Sequence, residues 1–276
     1  MLVSGIAAVV VGLATRPDTL HRLYLRGNPG PGIVRLGVLL SMAWIGFVLW
    51  RYADPSVTGI YVVFYLVMGY AVVKIFGQLG ASLFGARSRV DVIERRNVPA
   101  ALVVAAFTVA TGLIFGGSLW GEADPVGDGE GGWWIPASFF LLGWTTLVIA
   151  FRLFLRREGG RFAQRLQRER NLADARAVGS YLIGTGVALT EAVSGDFWGW
   201  RHGLLTFAVL ASLVLAHEVF ASFQARADRR GTAGDVGGAP PGPSEARRTL
   251  EAVVYLLLGL AAWGANRLLD LSVGAA

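Results

Sequence analysis

The chain contains no cysteine and few charged or titratable residues. Without Cys it can form no disulfide, no thiolate nucleophile and no Cys-bound metal site. Only three of its 276 residues are His and 16 % are charged, so the side chains from which most active sites are built are scarce. Neither a nucleophile elbow nor a cluster of metal ligands is recognisable. The sequence therefore predicts a protein that is not an enzyme, with no cofactor and no metal.

Long apolar runs dominate the chain instead. Apolar residues make up 54 % of it and the mean hydropathy is +0.53, which is too high for an ordinary soluble domain. Roughly 20 apolar residues cross a bilayer core about 30 Å thick, and a backbone in lipid must satisfy its own hydrogen bonds, so such runs are helices. The sequence predicts an all-α fold, a polytopic membrane helix bundle of about eight transmembrane helices. They lie at Met1–Thr15, Gly32–Trp50, Val57–Leu79, Val98–Trp120, Trp133–Leu155, Ala173–Val193, His202–Phe223 and Arg248–Val273.

The first of these runs is shorter than the others. Met1–Thr15 spans only about 22 Å at ~1.5 Å per residue, so a complete helix would begin further upstream. No basic residue precedes Arg16, as one would in a secretory signal. We interpret the run as a short membrane helix, and a signal-like segment is the alternative.

Basic residues alternate from one connection to the next. All but three of the 25 Lys and Arg residues lie on the odd-numbered connections or at the helix ends that border them. The three exceptions are Arg51, Arg201 and Arg267. The fourth connection carries the carboxylates of Glu122, Asp124, Asp128 and Glu130. Because basic connections stay in the cytoplasm, the sequence predicts a multi-pass protein of the bacterial inner membrane with both termini outside.

Tryptophan marks the opposite side of the predicted bundle. An aromatic belt at one membrane interface is expected to collect such residues at helix ends. The residues at predicted outer ends are Trp50, Trp120, Trp133, Trp134, Trp198 and Trp200. The net charge of +6 is concentrated on the other side, at helix ends, where anionic lipid headgroups are the natural partner. We therefore expect contact with the lipid bilayer and no binding of nucleic acid.

The chain also repeats itself internally. When it is shifted by 74 positions, Arg96-Asn97 meets Arg170-Asn171 and Gly121 meets Gly195, without a gap. Equivalent residues at equivalent membrane depths indicate a repeat whose unit is a helical hairpin with a basic connection. Arg26-Gly27-Asn28-Pro29 marks a fainter, earlier copy. The sequence thus predicts four tandem hairpin repeats at residues 1–56, 57–131, 132–200 and 201–276, the outer two divergent, with a flexible cytoplasmic loop at 226–247.

The repeated junction resembles that of a known family. Glu94–Ala101, continuing through Gly112, and Arg168–Ala173, continuing through Gly186, each show a charged connection, an Asn, then small apolar residues and glycines. This pattern is similar to the YjfL-like bacterial inner-membrane family of unknown function, best over Val57–Gly195. Asp174 departs from it, since a small residue is usual there. The resemblance implies no established activity, and it implies a link to envelope stress with a cytoplasmic envelope-stress protein as partner.

Three asparagines stand at predicted helix starts on the cytoplasmic side: Asn28, Asn97 and Asn171. The structural interpretation is a helix cap, in which the side-chain oxygen accepts an unpaired backbone N–H. Pro29 and Pro99 fit the first helical turn. A role in recognition is the alternative. If the residues are only caps, Asp or Ser could replace them at little cost.

Three ionisable residues fall inside predicted membrane helices: Glu191, His217 and Glu218. Such groups are costly in lipid and usually mark a pathway or relay. The competing interpretation is that Glu191 and His217 lie near helix ends and are solvated at the interface. Residues 217 and 218 point about 100° apart on a helix, so we expect one to face the bundle and the other the headgroups.

Two functions of different classes follow from these observations. The leading one is a non-enzymatic membrane scaffold or sensor linked to envelope stress. The alternative is a channel or a transporter of small solutes or ions that uses Glu191, His217 and Glu218. Convergence of those three side chains on one interior cavity would favour transport. The sequence leaves homo-oligomerisation open.

Overall fold

The computed structural model describes residues 27–123, 131–157 and 164–232, with Val253 and Leu257 in addition. The predicted first helix, nearly all of the predicted eighth helix and residues 233–247 of the predicted loop lie outside this part of the chain. The described residues form six α-helices and two short π-helical segments. The α-helices are α1 (Gly30–Arg51), α2 (Ile60–Leu83), α3 (Val98–Ser118), α4 (Trp134–Arg157), α5 (Leu172–Val193) and α6 (Trp200–Thr232). The π-helical segments are Ser88–Glu94 and Arg165–Glu169.

The helices agree with the six predicted runs that fall in the described part, with one clear difference. We predicted that the seventh run ends at Phe223 and that a flexible loop begins at residue 226, but α6 continues to Thr232. The apolar run ends where the chain leaves lipid, whereas helical hydrogen bonds continue through the polar residues that follow. The predicted loop boundary was therefore wrong.

Helix starts and ends alternate between two faces of the bundle. We call the face with Asn28, Asn97 and Asn171 the basic face, because the arginine-rich connections lie there. We call the opposite face, where the Tyr52, Trp120 and Gly195 backbones meet, the aromatic face. The Tyr52 carbonyl accepts the Gly121 N–H at 2.9 Å, and the Trp120 carbonyl accepts the Gly195 N–H at 2.8 Å. The helices α1, α3 and α5 therefore run in the same direction.

These three parallel helices form a row at the centre of the bundle, with α3 packed directly against both α1 and α5. α3 lies between α1 and α5, also contacts α2 and α4, and is almost entirely buried. α2 and α4 flank this row, and α6 packs on α4 and α5. In the core that α3, α4 and α5 share, Phe154 stacks on Phe151 and Tyr181, and Phe107 meets Phe151 edge-on.

Small residues allow the parallel helices to approach each other closely. A Cβ on Gly117 would lie 2.8 Å from the Thr190 carbonyl oxygen, and one on Gly186 would lie 3.0 Å from the Ala110 Cα. The Ser41 hydroxyl shares its one proton between the Gly37 carbonyl oxygen of its own helix, at 2.8 Å, and the Thr108 carbonyl oxygen of α3, at 3.0 Å. Close backbone approach of this kind is how helices associate where lipid gives no hydrophobic driving force.

Five of the six helices are long and apolar enough to cross a membrane: α1, α2, α3, α4 and the Trp200–Phe223 part of α6. α5 does not reach that hydropathy, because Asp174, Arg176 and Glu191 fall within it. Asp174 and Glu191 are buried among neighbouring helices rather than exposed to lipid. The polar helix is therefore shielded by the bundle.

Candidate functional site

The two described connections on the basic face have the same backbone design. Each contains a π-helical segment, then an arginine in the left-handed region, then the asparagine that begins the next helix. The φ angle is 52° at Arg96 and 49° at Arg170. The Asn97 N–H donates to the Asp91 carbonyl at 2.9 Å, and the Asn171 N–H donates to the Arg165 carbonyl at 3.2 Å. These pairs lie 74 positions apart.

The asparagine side chains are more than helix caps. The Asn97 oxygen accepts the Ala100 N–H at 3.1 Å, as a cap does, but its amide nitrogen also donates to the Leu166 carbonyl at 2.8 Å. Asn28 accepts the Gly30 N–H at 3.1 Å and donates to the Val92 carbonyl at 3.0 Å. Each of these two residues thus ties its own helix to the connection that precedes the next parallel helix.

Asn171 differs from the other two asparagines. Its oxygen caps α5 by accepting the Asp174 N–H at 3.1 Å. The predicted next connection, at 226–247, lies largely outside the described residues. Asn97 is completely buried, whereas Asn171 is half-buried. Within the described part of the chain, the helix cap is therefore the only role that the Asn171 side chain shows.

A buried carboxylate organises each connection, but from a different position. Asp91 is 1 % exposed and accepts the Arg87 N–H at 2.9 Å and the Arg95 guanidinium at 3.1 Å. At the position 74 residues later stands Arg165, whose guanidinium donates to Asp174. The first connection thus has a carboxylate at this position and the second has a guanidinium, and the carboxylate of the second pair, Asp174, lies in α5. The unusual Asp174 therefore has a local electrostatic reason.

These connections present a basic surface. We use this name for the seven exposed arginines of the two connections and the start of α5: Arg87, Arg89, Arg95, Arg96, Arg168, Arg170 and Arg176. Two exposed carboxylates, Glu94 and Glu169, accompany them. The Arg170 guanidinium donates to the Arg95 carbonyl at 2.9 Å and so joins the two connections. The two connections therefore form one continuous basic surface, joined by a hydrogen bond from a side chain to the backbone.

The three predicted intramembrane residues do not come together. Glu218 is 1 % exposed and faces the bundle, while the His217 side chain is half exposed. The His217 Nδ1 lies 3.3 Å from the Glu218 Oε1, but without hydrogen-bond alignment, and neither Glu218 oxygen accepts a hydrogen bond in the described part. Glu218 lies about 27 Å along α6 from Trp200, at ~1.5 Å per residue. Glu191 is buried near the opposite, aromatic face.

Sequence reasoning missed Asp91, the π-helical segments and the left-handed arginines. A π-helical turn has no side-chain signature, but the 74-residue register did align Arg96 with Arg170. That alignment was the one available signal that these positions share a conformation. Among the described residues, no group of three or more His, Asp or Glu side chains is placed to hold a metal ion.

The fold defines a class: an all-α, multi-pass membrane protein. Residues 1–119 match a family described as Domain of Unknown Function (DUF350). The match includes the first predicted hairpin, where the YjfL-like resemblance was weakest, and it leaves that resemblance as a prediction. No curated protein and no solved structure shows significant similarity to the chain.

Proposed function

We propose that this protein is a non-enzymatic scaffold of the bacterial inner membrane, whose basic surface lies in the cytoplasm and holds an acidic protein partner. The observation that carries the proposal is the conformation of Arg96 and Arg170. A left-handed conformation costs a residue other than Gly roughly 1–2 kcal/mol. Glycine would fit each position without strain, so the presence of arginine favours a role for its charge.

The anchoring of the arginines favours a protein partner over lipid alone. Attraction to anionic headgroups needs only positive charge near the bilayer and no defined backbone. Here the charges lie on π-helical segments fixed by Asp91, by Asn97 and by the contact between Arg170 and Arg95. A surface of fixed spacing suits a folded partner with complementary carboxylates. The YjfL-like resemblance suggests that this partner belongs to an envelope-stress system.

The interior packing also supports a scaffold. α1, α3 and α5 meet at glycines, and the hydrogen bonds from Asn28 and Asn97 link successive hairpins at equivalent positions. These repeated contacts between successive hairpins suit a rigid tandem array, and they support the internal repeat that we infer. Among the described residues, Glu191 lies near the aromatic face and Glu218 far along α6 from that face, and this separation weighs against the transport alternative.

Replacement of both left-handed arginines by glycine tests the scaffold proposal. Arg96→Gly with Arg170→Gly removes two charges and relieves strain, and the loss of the exposed Arg170–Arg95 hydrogen bond offsets that relief, so the free energy of unfolding should change by less than about 1 kcal/mol. We expect this variant to lose an acidic cytoplasmic protein that co-purifies with the wild type from native membranes in mild detergent. Arg51→Gln with Arg201→Gln, on the aromatic face, is the control of equal charge and should retain it. Retention of the partner by the glycine variant, with loss of anionic lipid only, would refute the proposal.

Transport remains a second candidate because of Glu218. Its carboxyl group is buried in a membrane helix and has no hydrogen bond from the described residues, and an ionisable group at membrane depth is costly and usually functional. If Glu218 carries protons or cations, Glu218→Gln should abolish flux in reconstituted vesicles while the protein still folds. Wild-type flux no greater than that of empty vesicles, over a range of ions and pH, would exclude this function.

A further inference from the structure

A cavity of about 690 Å³ lies at the aromatic face, between the ends of α2, α3 and α4. Its size falls within the range of small-ligand sites, roughly 300–1,000 Å³. Its lining includes Tyr61 and Tyr65 of α2, Trp133 and Ile135 at the start of α4, and Leu119 at the end of α3. The residues at its mouth are partly exposed, with Tyr61 at 59 % and Trp133 at 43 %. The cavity is therefore accessible, and it is separate from the basic surface.

The charge of this cavity has one sign. Asp54 and Glu122 are the charged side chains among its described lining, and no basic residue is present there. Burial raises the pKa of Asp54, but its hydrogen bonds from Ala123 and Ser56 outweigh this and hold the pKa below the ordinary value. Asp54 is therefore a carboxylate at neutral pH. The Glu122 carboxylate is exposed, and its backbone makes the local hydrogen bonds.

Aromatic rings beside carboxylates are the surroundings that an ammonium group prefers. A cation over the face of a Tyr or Trp ring is attracted by the ring quadrupole, most strongly for Trp. Tyr65 lies close enough to Asp54 to interact with it electrostatically, and Tyr61 is its neighbour in the lining. Leu49, Ile60 and Ile135 make most of the remaining lining apolar. An anion would be repelled from this site, and a small inorganic cation would leave the apolar walls unused.

We propose that the cavity binds a ligand with an ammonium group on an apolar body. The ethanolamine headgroup of a phospholipid and a soluble alkylammonium compound share this chemistry. The site lies on the face opposite the basic surface, so this proposal stands independently of the scaffold function.

Binding of tetraethylammonium to the full chain tests the proposal. We would measure it by titration calorimetry in maltoside micelles, which contain no ammonium group and no charge. We expect saturable binding by the wild type. Glu122→Gln and Trp133→Leu should each weaken it about tenfold, because they remove a carboxylate and the preferred ring. Both residues are exposed, so their replacement should leave the fold intact.

Two control variants and a lipid competition complete the experiment. Trp198→Leu removes an exposed tryptophan outside the cavity, and Glu169→Gln removes an exposed carboxylate of the basic face. Both should bind as the wild type does. If an ethanolamine phospholipid weakens tetraethylammonium binding and phosphatidylglycerol does not, the ligand is lipid-borne; if neither competes, it is soluble. Absence of saturable binding, or equal binding by all four variants, would overturn the proposal.

Discussion

Asn97 illustrates how a single buried amide can serve two helices. Its side-chain oxygen accepts the Ala100 N–H, which would otherwise be unpaired at the start of α3. Its side-chain nitrogen donates to the Leu166 carbonyl in the connection that leads to α5. A cap needs only an acceptor, whereas this position needs an acceptor and a donor. The expectation that Asp or Ser could replace each asparagine therefore applies to Asn171, which forms the cap bond alone in the described part of the chain.

The two asparagines form a matched pair for mutation. Asn97→Ser keeps an acceptor but leaves the buried Leu166 carbonyl without its donor, so we expect it to lower the free energy of unfolding by about 1–3 kcal/mol. Asn171→Ser should cost less than about 1 kcal/mol, since Ser is a good cap. Denaturant unfolding in detergent would measure both values. Equal costs would show that the Asn97–Leu166 hydrogen bond contributes nothing.

Asp54 gives a prediction about pH. Its pKa in the folded protein is below the ordinary value of 3.8, because hydrogen bonds to Ala123 and Ser56 favour the charged form over the effect of burial. The stabilisation is thus fully present above pH 3.8 and is lost as the pH falls through the lower folded-state pKa. Thermal unfolding in detergent should show this acid loss in the wild type and a weaker one in Asp54→Ala. An unchanged acid profile in the variant would contradict the assignment.

At the scale of helices, the close packing of α3 against α1 and against α5 organises the described part of the bundle. Gly117 meets the Thr190 backbone, whereas no described residue would come within 4 Å of a Cβ placed on Gly46 of α1. Glycine therefore has a different structural role at each of the two positions. One is required by packing, and the other only weakens its helix.

Substitution of each glycine by alanine should distinguish these two roles by their effect on stability. At Gly117 the new methyl group would lie 2.8 Å from the Thr190 carbonyl oxygen, so the helices must move apart, and we expect a loss of about 1–3 kcal/mol in stability. At Gly46 the same change should stabilise the protein by up to about 1 kcal/mol through helix propensity. Unfolding midpoints in detergent are the measurement. A Gly117→Ala protein as stable as the wild type would contradict the close packing of α3 and α5.

The sequence predicted helices far better than connections. Apolar runs fix where a chain lies in lipid, and Asn97 and Asn171 mark helix starts, so α3 and α5 begin within one residue of their predicted positions. The π-helical segments could not be predicted, because such a turn has no side-chain signature, even though the partners of Asp91 and Arg165 are only four and nine residues away. The burial of Glu218 depends on how α6 turns toward its neighbours, which periodicity alone does not determine.

The whole molecule has two chemically distinct faces. Arginines cover one, and tryptophans and carboxylates surround the cavity on the other. Basic residues in connections are retained in the cytoplasm during insertion. This asymmetry therefore predicts the orientation of the entire chain rather than of one helix.

Reporter fusions would determine that orientation. A reporter active only in the periplasm should be active when fused after Ala276 and inactive when inserted in Gly231–Ser244. Both fusions must reach comparable abundance in the membrane for the comparison to count. The reverse pattern of activities would place the basic surface outside and remove the basis for a cytoplasmic partner.

The hydrogen bonds of Asn28 and Asn97 also imply an order in which the hairpins assemble during synthesis. The acceptor for Asn28 is the Val92 carbonyl and the acceptor for Asn97 is the Leu166 carbonyl, and each lies more than 60 residues later in the chain. A ribosome therefore delivers each amide long before its acceptor has been synthesised. The newest hairpin completes the one before it, and a chain released early would expose an unsatisfied donor, which is a feature that membrane quality control could detect.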